Sequence, residues 1–577
     1  MRRLNFLFFA FLFFALLVIY RLFGWQIKSG ERLAILAESQ HASKIELPAQ
    51  RGKILTADNF PLVDNQEAYL IYVDLTKISE ETSGIAAKLA PFLSDNVATS
   101  SAKEELRLLK NAEVKLKKRL DNPDLVWADL KHKVKKEIKE EIEELNIAGI
   151  GFEKENIRFY PEASLSAHLL GFVGSDEGGG DKGYFGVEGY YDLELKGRPG
   201  LLYQEKDARG KPILMGRFER EEACDGRNLI LHLDRAVQFM TEKGLREGIE
   251  KYGAKSGSIV IMEPQSGAIL AMISFPSYEQ GNFQNYDKVF YKNPVVTESF
   301  EPGSVFKIIT MAAALDEGVI EPETRCDKCA GPRKIGSYVI HTYDDKYRPD
   351  STMKEILEHS DNVGMVFIAE KLGKENFLRY VRKFGFSNLT GIDLEEEATP
   401  ELRSDKEWRE IDLAAASFGQ GIAVTSIQMI RAAAVIANDG KLVVPRVVAR
   451  VVDGEREVEI KPEVTDRVIK PETAKTLTEM MVSAVENGFP HWEKYGISGF
   501  RIAGKTGTAQ IPIAGHYDEK KTIVSFVGFA PAEKPKFVML VTLAEPTSSP
   551  WGANTAAPLW FDIAKELFLY YGISPKE

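Results

Sequence analysis

The chain has 577 residues, 44% hydrophobic and 28% charged, an ordinary globular composition long enough to build several cores. A formal net charge of -11 and an isoelectric point near 5.5 speak against a nucleic-acid binder, which needs a concentrated positive field. Three cysteines, Cys224, Cys326 and Cys329, are too few and too unevenly placed for a disulfide framework, so packing must hold the fold.

The first element predicted is a membrane-spanning helix. After Arg2 and Arg3, the stretch from Leu4 to Tyr20 carries no charge and one strongly polar residue, Asn5, and Arg21, Leu22, Phe23 and Trp25 make an interfacial border. A cleaved signal peptide would have a shorter apolar part and a following site of small residues, which is not found. Arg21, Lys28 and Arg32 on the far side balance Arg2 and Arg3, so positive charge alone leaves the orientation open.

From Lys44 to Leu75 the pattern predicts short strands, with Ile45 and Leu47, Ile54 and Leu55, then Tyr69 to Val73; Pro48 and Pro61 fall between them. Ser83 to Leu145 reads as a charge-rich helical arm, clearest where Val134, Ile138, Ile142 and Leu145 recur at helical spacing; its plain reading is a solvated structural element. Gly171 to Gly200, with Gly178, Gly179 and Gly180 in a row, predicts turns, and no Gly-Lys-Ser/Thr follows to make a phosphate cradle.

After Asp225 the pattern changes, and the main domain boundary is expected there. Three parts are expected: residues 1-24 as a short tail and anchor, 25-225 as a region with the charged arm, and 226-577 as a separate C-terminal domain. Ser258 to Met262 and Ala268 to Ile273 read as a strand hairpin, and Thr522 to Phe529 with Phe537 to Leu543 repeat the pattern near the C-terminus. Between them Val305 to Leu315, Asn362 to Leu372 and Ile427 to Ala437 are helical. Strands from both ends around a helical middle predict an α+β domain, one antiparallel sheet covered by helices.

Three short motifs occur in order: Ser304-Val-Phe-Lys307, Ser360-Asp-Asn362 and Lys505-Thr-Gly-Thr508. Each alone is weak, since Ser94-Asp-Asn96 and Ser100-x-x-Lys103 match by chance in reversed order. Pro302 and Gly303 place Ser304 at a helix start, where free N-H groups stabilise a developing oxyanion. Lys307 falls one turn later on the same face. It can take the Ser304 proton only when neutral, a state that burial and a second cation, Lys505, both favour. Gly507 leaves the strand bare, so a peptide can approach its backbone as an added strand, with Thr506, Thr508 and Lys505 near its carboxylate. Ser360 and Asn362 offer a hydroxyl for proton relay and an amide for the peptide. The plainer alternatives are a helix cap at Ser304, another at Ser360, and an edge-strand bulge at Gly507.

With these motifs the chain resembles the class B penicillin-binding proteins, the monofunctional peptidoglycan D,D-transpeptidases. Arg51-Gly-Lys-Ile54, Arg158-Phe-Tyr-Pro161, His168-Leu-Leu-Gly171 and Gly186-Val-Glu-Gly189 are similar to pedestal signatures. Asn293-Pro-Val-Val-Thr297, Glu301-Pro-Gly-Ser304, Phe418-Gly-Gln-Gly421 with Thr425 and Gln428, and Phe526-Val-Gly-Phe529 with Ala530-Pro531 resemble the catalytic domain. The resemblance implies a β-lactamase/transpeptidase-like fold with Ser304 as nucleophile, Lys307 as base, Ser360 and Asn362 as relay and support, and Lys505, Thr506 and Thr508 as carboxylate contacts. It implies an oxyanion hole of the Ser304 and Thr508 N-H groups, and a stem peptide ending in D-Ala-D-Ala or a β-lactam as the acylating ligand. It places the catalytic domain outside the cytoplasmic membrane and implies a glycan-polymerising membrane protein and division proteins as partners.

The Glu301-Pro-Gly lead-in and Ala503-Gly504 before Lys505 resemble the division-type subgroup. Cys326-Asp-Lys-Cys329 departs from the family, and the stretch after Asp58 lacks an expected Gly. A lone Cys-x-x-Cys lacks the further ligands a zinc site needs, so a local disulfide or two free thiols is expected, with no metal and no cofactor. Two rival functions use the same parts: a protein that hydrolyses or senses β-lactams, and a division scaffold without activity. No candidate Glu for water activation is identified, and all three motifs are intact.

Overall fold

The computed structural model describes residues 2–33, 42–94, 102–162, 164–205, 218–489, 492–495, 497–513 and 516–575. Asp95, Asn96 and Ser100 of the chance motif pair lie outside the described residues. Two compact units are distinguished, one of Met1–Arg51 with Lys196–Gly226, the other of Gly52–Leu195 with Arg227–Glu577.

The smaller unit contains helix α1 (Arg2–Phe23), which continues to Lys28 as one segment of mean hydropathy 2.5 with none of its apolar window buried. Among the described residues it is the one helix long and apolar enough to cross a membrane. The Arg21 guanidinium lies over the Trp25 ring, 5.3 Å from its centroid, which agrees with the interfacial border expected there. Strands Ala42–Leu47, Gly200–Glu205 and Phe218–Glu221 form an antiparallel sheet in the same unit.

The larger unit begins with β1 (Ile54–Leu55) and the 14-residue β2 (Pro61–Asp74), the proline standing at the strand's first position where its missing N-H is tolerated. Helices α2 (Thr82–Leu93) and α3 (Ala102–Leu120) follow, then β3 (Trp127–Lys135), α4 (Lys136–Glu144) and β4 (Ile150–Phe159). The helical arm expected from Ser83 to Leu145 is therefore corrected, because a strand lies inside it and Val134 belongs to that strand. Ala128, Leu130 and Val134 are buried at even spacing, and Val134 stands opposite Tyr69 of β2. Helical spacing applies only after Lys136. Ile71, Val73, Ile85, Leu89, Leu116 and Ile142 join them in a small core, so the arm is a packed subdomain with one charged face. The Gly-rich stretch is also more ordered than turns alone, since Phe172–Ser175 and Asp181–Tyr184 pair as a hairpin whose tip is held by Asp176 Oδ1 accepting the Gly178 and Gly180 N-H groups at 2.8 Å.

The chain continues with β5 (Asn228–Leu231), α5 (Arg235–Tyr252), β6 (Ser256–Met262) and β7 (Ile269–Phe275). Helices α6 (Lys307–Asp316), α7 (Met353–Glu358), α8 (Asn362–Leu372) and α9 (Ser426–Ala437) make the middle. Then come β8 (Val448–Asp453), β9 (Arg456–Glu459), α10 (Pro471–Glu486), β10 (Ala503–Ile513), β11 (His516–Ala530), β12 (Phe537–Ala544) and α11 (Ala556–Tyr570).

Five strands form an antiparallel sheet in the order β7-β6-β12-β11-β10. Its central strands carry buried apolar side chains on both faces, because both faces are covered. Ile259, Ile261, Phe526, Met539 and Val541 face α5 and α11, where Trp560 and Phe561 fill the core. Val260, Met262, Val527, Val538 and Leu540 face the helical middle with Phe306, Met311 and Ile430. This is the covered antiparallel sheet that the strand pattern predicts. A second sheet, ordered β9-β8-β5-β1-β2-β3 with β4 on the other edge of β2, joins strands from distant parts of the chain. Two pedestal signatures meet beside it: Arg158 Nε donates to Glu188 Oε1 at 2.7 Å and Nη1 to Asn65 Oδ1 at 3.0 Å, with both ionic side chains at or below 4% exposure.

Candidate active site

Ser304 stands in a tight turn, Gly303–Phe306, that opens directly into α6. Gly303 takes a φ of +55°, and a Cβ there would lie 2.6 Å from the Thr508 carbonyl oxygen, so only glycine lets this turn press against β10. The Gly303 N-H donates to the Gly419 carbonyl at 3.0 Å, and the Gly421 N-H donates to Glu301 Oε1 at 3.0 Å. The Phe-Gly-Gln-Gly segment thereby braces the lead-in to the serine.

Lys307, the first residue of α6, is fully buried. Its Nζ contacts the Ser360 carbonyl oxygen at 2.6 Å, Ser360 Oγ at 3.2 Å and Asn362 Oδ1 at 2.7 Å. Ser360 adopts a left-handed φ of +53°, costly for a residue with a Cβ. The strain is held by the next element. Asp361 caps α8 by accepting the Val363 and Gly364 N-H groups on Oδ1 at 2.8 and 3.2 Å, fixing the chain direction immediately after Ser360. Asn362 Nδ2 donates to the His341 carbonyl at 3.2 Å, tying the motif to the segment above it.

Lys505 reaches in from β10 and is 3% exposed; its Nζ donates to Ser360 Oγ at 2.9 Å and to the Thr506 carbonyl and Oγ1 at 3.3 Å. One hydroxyl thus lies between two lysine nitrogens. Burial, then the charge of Lys505, drives the Lys307 amine well below the usual lysine range, against a smaller opposing pull from Asp361. Burial lowers Lys505 to about 7. A neutral Lys307 has a lone pair to receive a proton, and Ser360 Oγ can pass one between the two nitrogens.

β10 is the terminal strand of its sheet: residues 503–510 pair with β11 on one side, and no described strand lies on the other. Thr506 and Thr508 line the cleft, and Thr508 Oγ1 accepts the Gly552 N-H at 3.1 Å. At Gly507 the requirement for glycine comes from beneath the strand. A Cβ would lie 2.2 Å from Ser525 Oγ and 3.0 Å from the Pro302 carbonyl oxygen and Val305 Cγ1, so the bare residue lets β10 pack under the serine turn.

The three motifs border one cleft of about 510 Å³. Ser304, Ser360, Asn362, Lys505, Thr506 and Thr508 line it, with Lys307 beneath them in the core. Among the lining residues not singled out as site residues by the sequence are Tyr343, Glu358, His359, Gln420 and Trp551. Of these only Gln420 lay in a segment already marked. Tyr343 and Trp551 pack against each other at the cleft, their ring centroids 5.7 Å apart. Cys326 and Cys329 form a disulfide, which decides between the two states left open. Both cysteines are buried, and the Cys326 N-H donates to the Ser351 carbonyl at 2.9 Å. Among the described residues no group of acidic, histidine or cysteine side chains is arranged to hold a metal.

The model of the penicillin binding protein transpeptidase domain matches residues 257–568, more than half of the chain, and the model of the penicillin-binding protein dimerisation domain matches residues 46–231. Stage V sporulation protein D of Bacillus subtilis is 30% identical, covering 96% of this chain and 83% of its own length. The probable peptidoglycan D,D-transpeptidase PenA of Neisseria meningitidis is 30% identical over 78% of this chain and 74% of its own. Among solved structures, a peptidoglycan synthetase from Bifidobacterium adolescentis is similar with a TM-score of 0.72 at 26% identity, covering 93% of this chain and 98% of that one. A transpeptidase domain preceded by a dimerisation domain, with the matching fold, identifies the arrangement: the chain belongs to the class B penicillin-binding proteins, a family of D,D-transpeptidases.

Proposed function

We propose that the chain cross-links peptidoglycan stem peptides through an acyl-enzyme on Ser304 and is acylated by β-lactams at the same oxygen. The observation that carries this reading is the placement of Lys307 and Lys505 on either side of Ser360 Oγ, in the cleft that Ser304 lines. Neutral Lys307 takes the Ser304 proton as Oγ attacks the carbonyl of the penultimate D-Ala. The Ser304 and Thr508 N-H groups hold the oxyanion, and the free edge of β10 holds the peptide as an added strand. The C-N bond to the terminal D-Ala breaks, and the proton stored on Lys307 passes through Ser360 to that leaving amine. Lys505, Thr506 and Thr508 bind the terminal carboxylate. An amine of a neighbouring peptide then attacks the ester, forming an amide and returning Ser304 to its hydroxyl.

In this reading α1 is the membrane anchor, the catalytic domain from about residue 226 stands outside the cytoplasm on a pedestal of residues 25-225, and the enzyme serves septal wall synthesis with a glycan polymerase and division proteins. The division role is supported by the Glu301-Pro-Gly and Ala503-Gly504 lead-ins. Labelled penicillin added to the purified protein is expected to give a stable adduct that is lost in Ser304→Ala. Undiminished labelling of that variant would refute the nucleophile, and continuous hydrolysis of the drug would favour a lactamase.

A further inference from the structure

The cleft holds one acidic side chain among its described lining residues, Glu358, and the mechanism above gives it no role. Glu358 ends α7, two residues before Ser360. Its side chain is 10% exposed, and Oε1 is held from α10 by Ser483 Oγ and by Asn487 Nδ2 at 3.4 Å. Oε2 accepts no hydrogen bond from any described residue and is not sealed from solvent, on a residue that lines the cleft. Lys354 is a distant partner, 4.0 Å from Oε1.

The surroundings add negative potential. Asn487 is the C-cap of α10, so the carboxylate sits where two helices end and their last carbonyls carry partial negative charge. A Cβ at Gly488 would lie 2.4 Å from the Ala484 carbonyl oxygen and 2.6 Å from the Glu358 carbonyl oxygen, so acceptors from both helix ends converge there. A carboxylate at a helix C-terminus meets partial charge of its own sign. It would be stabilised by a cation arriving from the cleft. Nearby Lys505 is engaged with Ser360 and Thr506 and has no hydrogen bond to Glu358.

We infer that Glu358 is a specificity-determining residue that receives the acceptor substrate as a primary ammonium at the Ser360 end of the cleft. This rests on the acyl-transfer reading and assigns the chemistry of its second substrate. The ammonium docks on Glu358 Oε2 and releases one proton to solvent. The free amine attacks the ester carbonyl; the new C-N bond forms, the C-O bond to Ser304 breaks, and the second amine proton passes through Lys307 to Ser304 Oγ. Water and neutral nucleophiles gain nothing from the carboxylate, so Glu358 raises aminolysis relative to hydrolysis.

The test uses the full-length protein in detergent with an N-acyl-D-alanyl thioester as donor. Two acceptors are compared, a peptide with one free primary amine and methanol. Product ratios, aminolysis or methanolysis over hydrolysis, count only acyl-enzyme that has formed, so a change in its amount drops out. In Glu358→Gln the aminolysis ratio is expected to fall about tenfold while the methanolysis ratio holds, and Ser483→Ala, which removes a brace and keeps the carboxylate, should resemble the parent. An aminolysis ratio within twofold of the parent overturns the inference, and so does an equal fall in both ratios, which would make Glu358 a brace between helices. Failure of the parent to form any acyl-enzyme would instead refute the Ser304 reading itself.

Discussion

Replacing Lys505 with methionine removes a charge whose effect on Lys307 can be worked from the structure. Both lysine nitrogens touch Ser360 Oγ, at 3.2 and 2.9 Å, so they are no more than about 6 Å apart. At that distance and an effective dielectric constant of about 20, two unit charges repel by roughly 3 kcal/mol, equivalent to about 2 pKa units. Lys505, lowered by burial to about 7, is protonated across the acidic range, where it opposes protonation of Lys307. The sign follows. Lys505→Met raises the Lys307 pKa, so the base is neutral only at higher pH, and the acidic limb of the acylation profile moves up by about 2 pH units. Stopped-flow acylation by a fluorescent penicillin between pH 5 and 10 measures that limb separately from the plateau. A uniform rate loss with the limb in place would refute the argument, because Lys505 would then act only as a contact to the ligand carboxylate.

Other perturbations test other levels of the structure. Glu188→Ala leaves the Arg158 guanidinium buried without its carboxylate, and should cost about 3–5 kcal/mol in chemical denaturation; a change below 1 kcal/mol would show that the pair is not desolvated. Gly507→Ala drives a methyl into Ser525 Oγ and the serine turn, so penicillin acylation should slow at least a hundredfold while the thermal transition shifts by a few degrees; normal acylation would mean that β10 can move aside. Burial lowers His168 to about 4, below the ordinary value of 6.5, so the unfolded chain binds more protons between those values. Stability from the neutral ring is present above pH 6.5 and is lost as pH falls toward 4, by on the order of 3 kcal/mol in full. A His168→Gln variant should flatten that dependence in denaturation titrations, and an unchanged slope would remove His168 as its source.

What could be read from the sequence was whatever depends on local spacing. The hairpin at Ser258–Met262 and Ala268–Ile273, the strands around Pro531, and helix Asn362–Leu372 have periods or breakers that short windows display. The order of Ser304, Lys307, Ser360 and Lys505 marked residues that the fold brings to one cleft, with both lysine nitrogens at the Ser360 hydroxyl. Pairing across distance was hidden. Val134 has a helical-looking spacing to Ile138 and Ile142, yet β2 draws it into a strand, a tertiary choice that overrides the local pattern. Gly507 is bare for the sake of Ser525 and Val305 beneath it, neighbours its own strand does not announce. Glu358, Tyr343 and Trp551 come to the cleft from three loops and helix ends with no spacing to connect them. The Cys326 to Cys329 pairing depended on a backbone turn that two intervening residues do not specify.

In the proposed reaction Ser304 Oγ carries the acyl group of a peptide, with Lys307 neutral beneath it. Incubation of the protein with a stem-peptide analogue ending in D-Ala-D-Ala, rapid acid quenching and mass spectrometry of the digest tests it directly. The expected product is the peptide containing Ser304 heavier by the mass of the analogue less that of the free D-Ala released, absent in Ser304→Ala. An adduct on any other residue, or terminal D-Ala release that continues unabated in Ser304→Ala, would contradict the account.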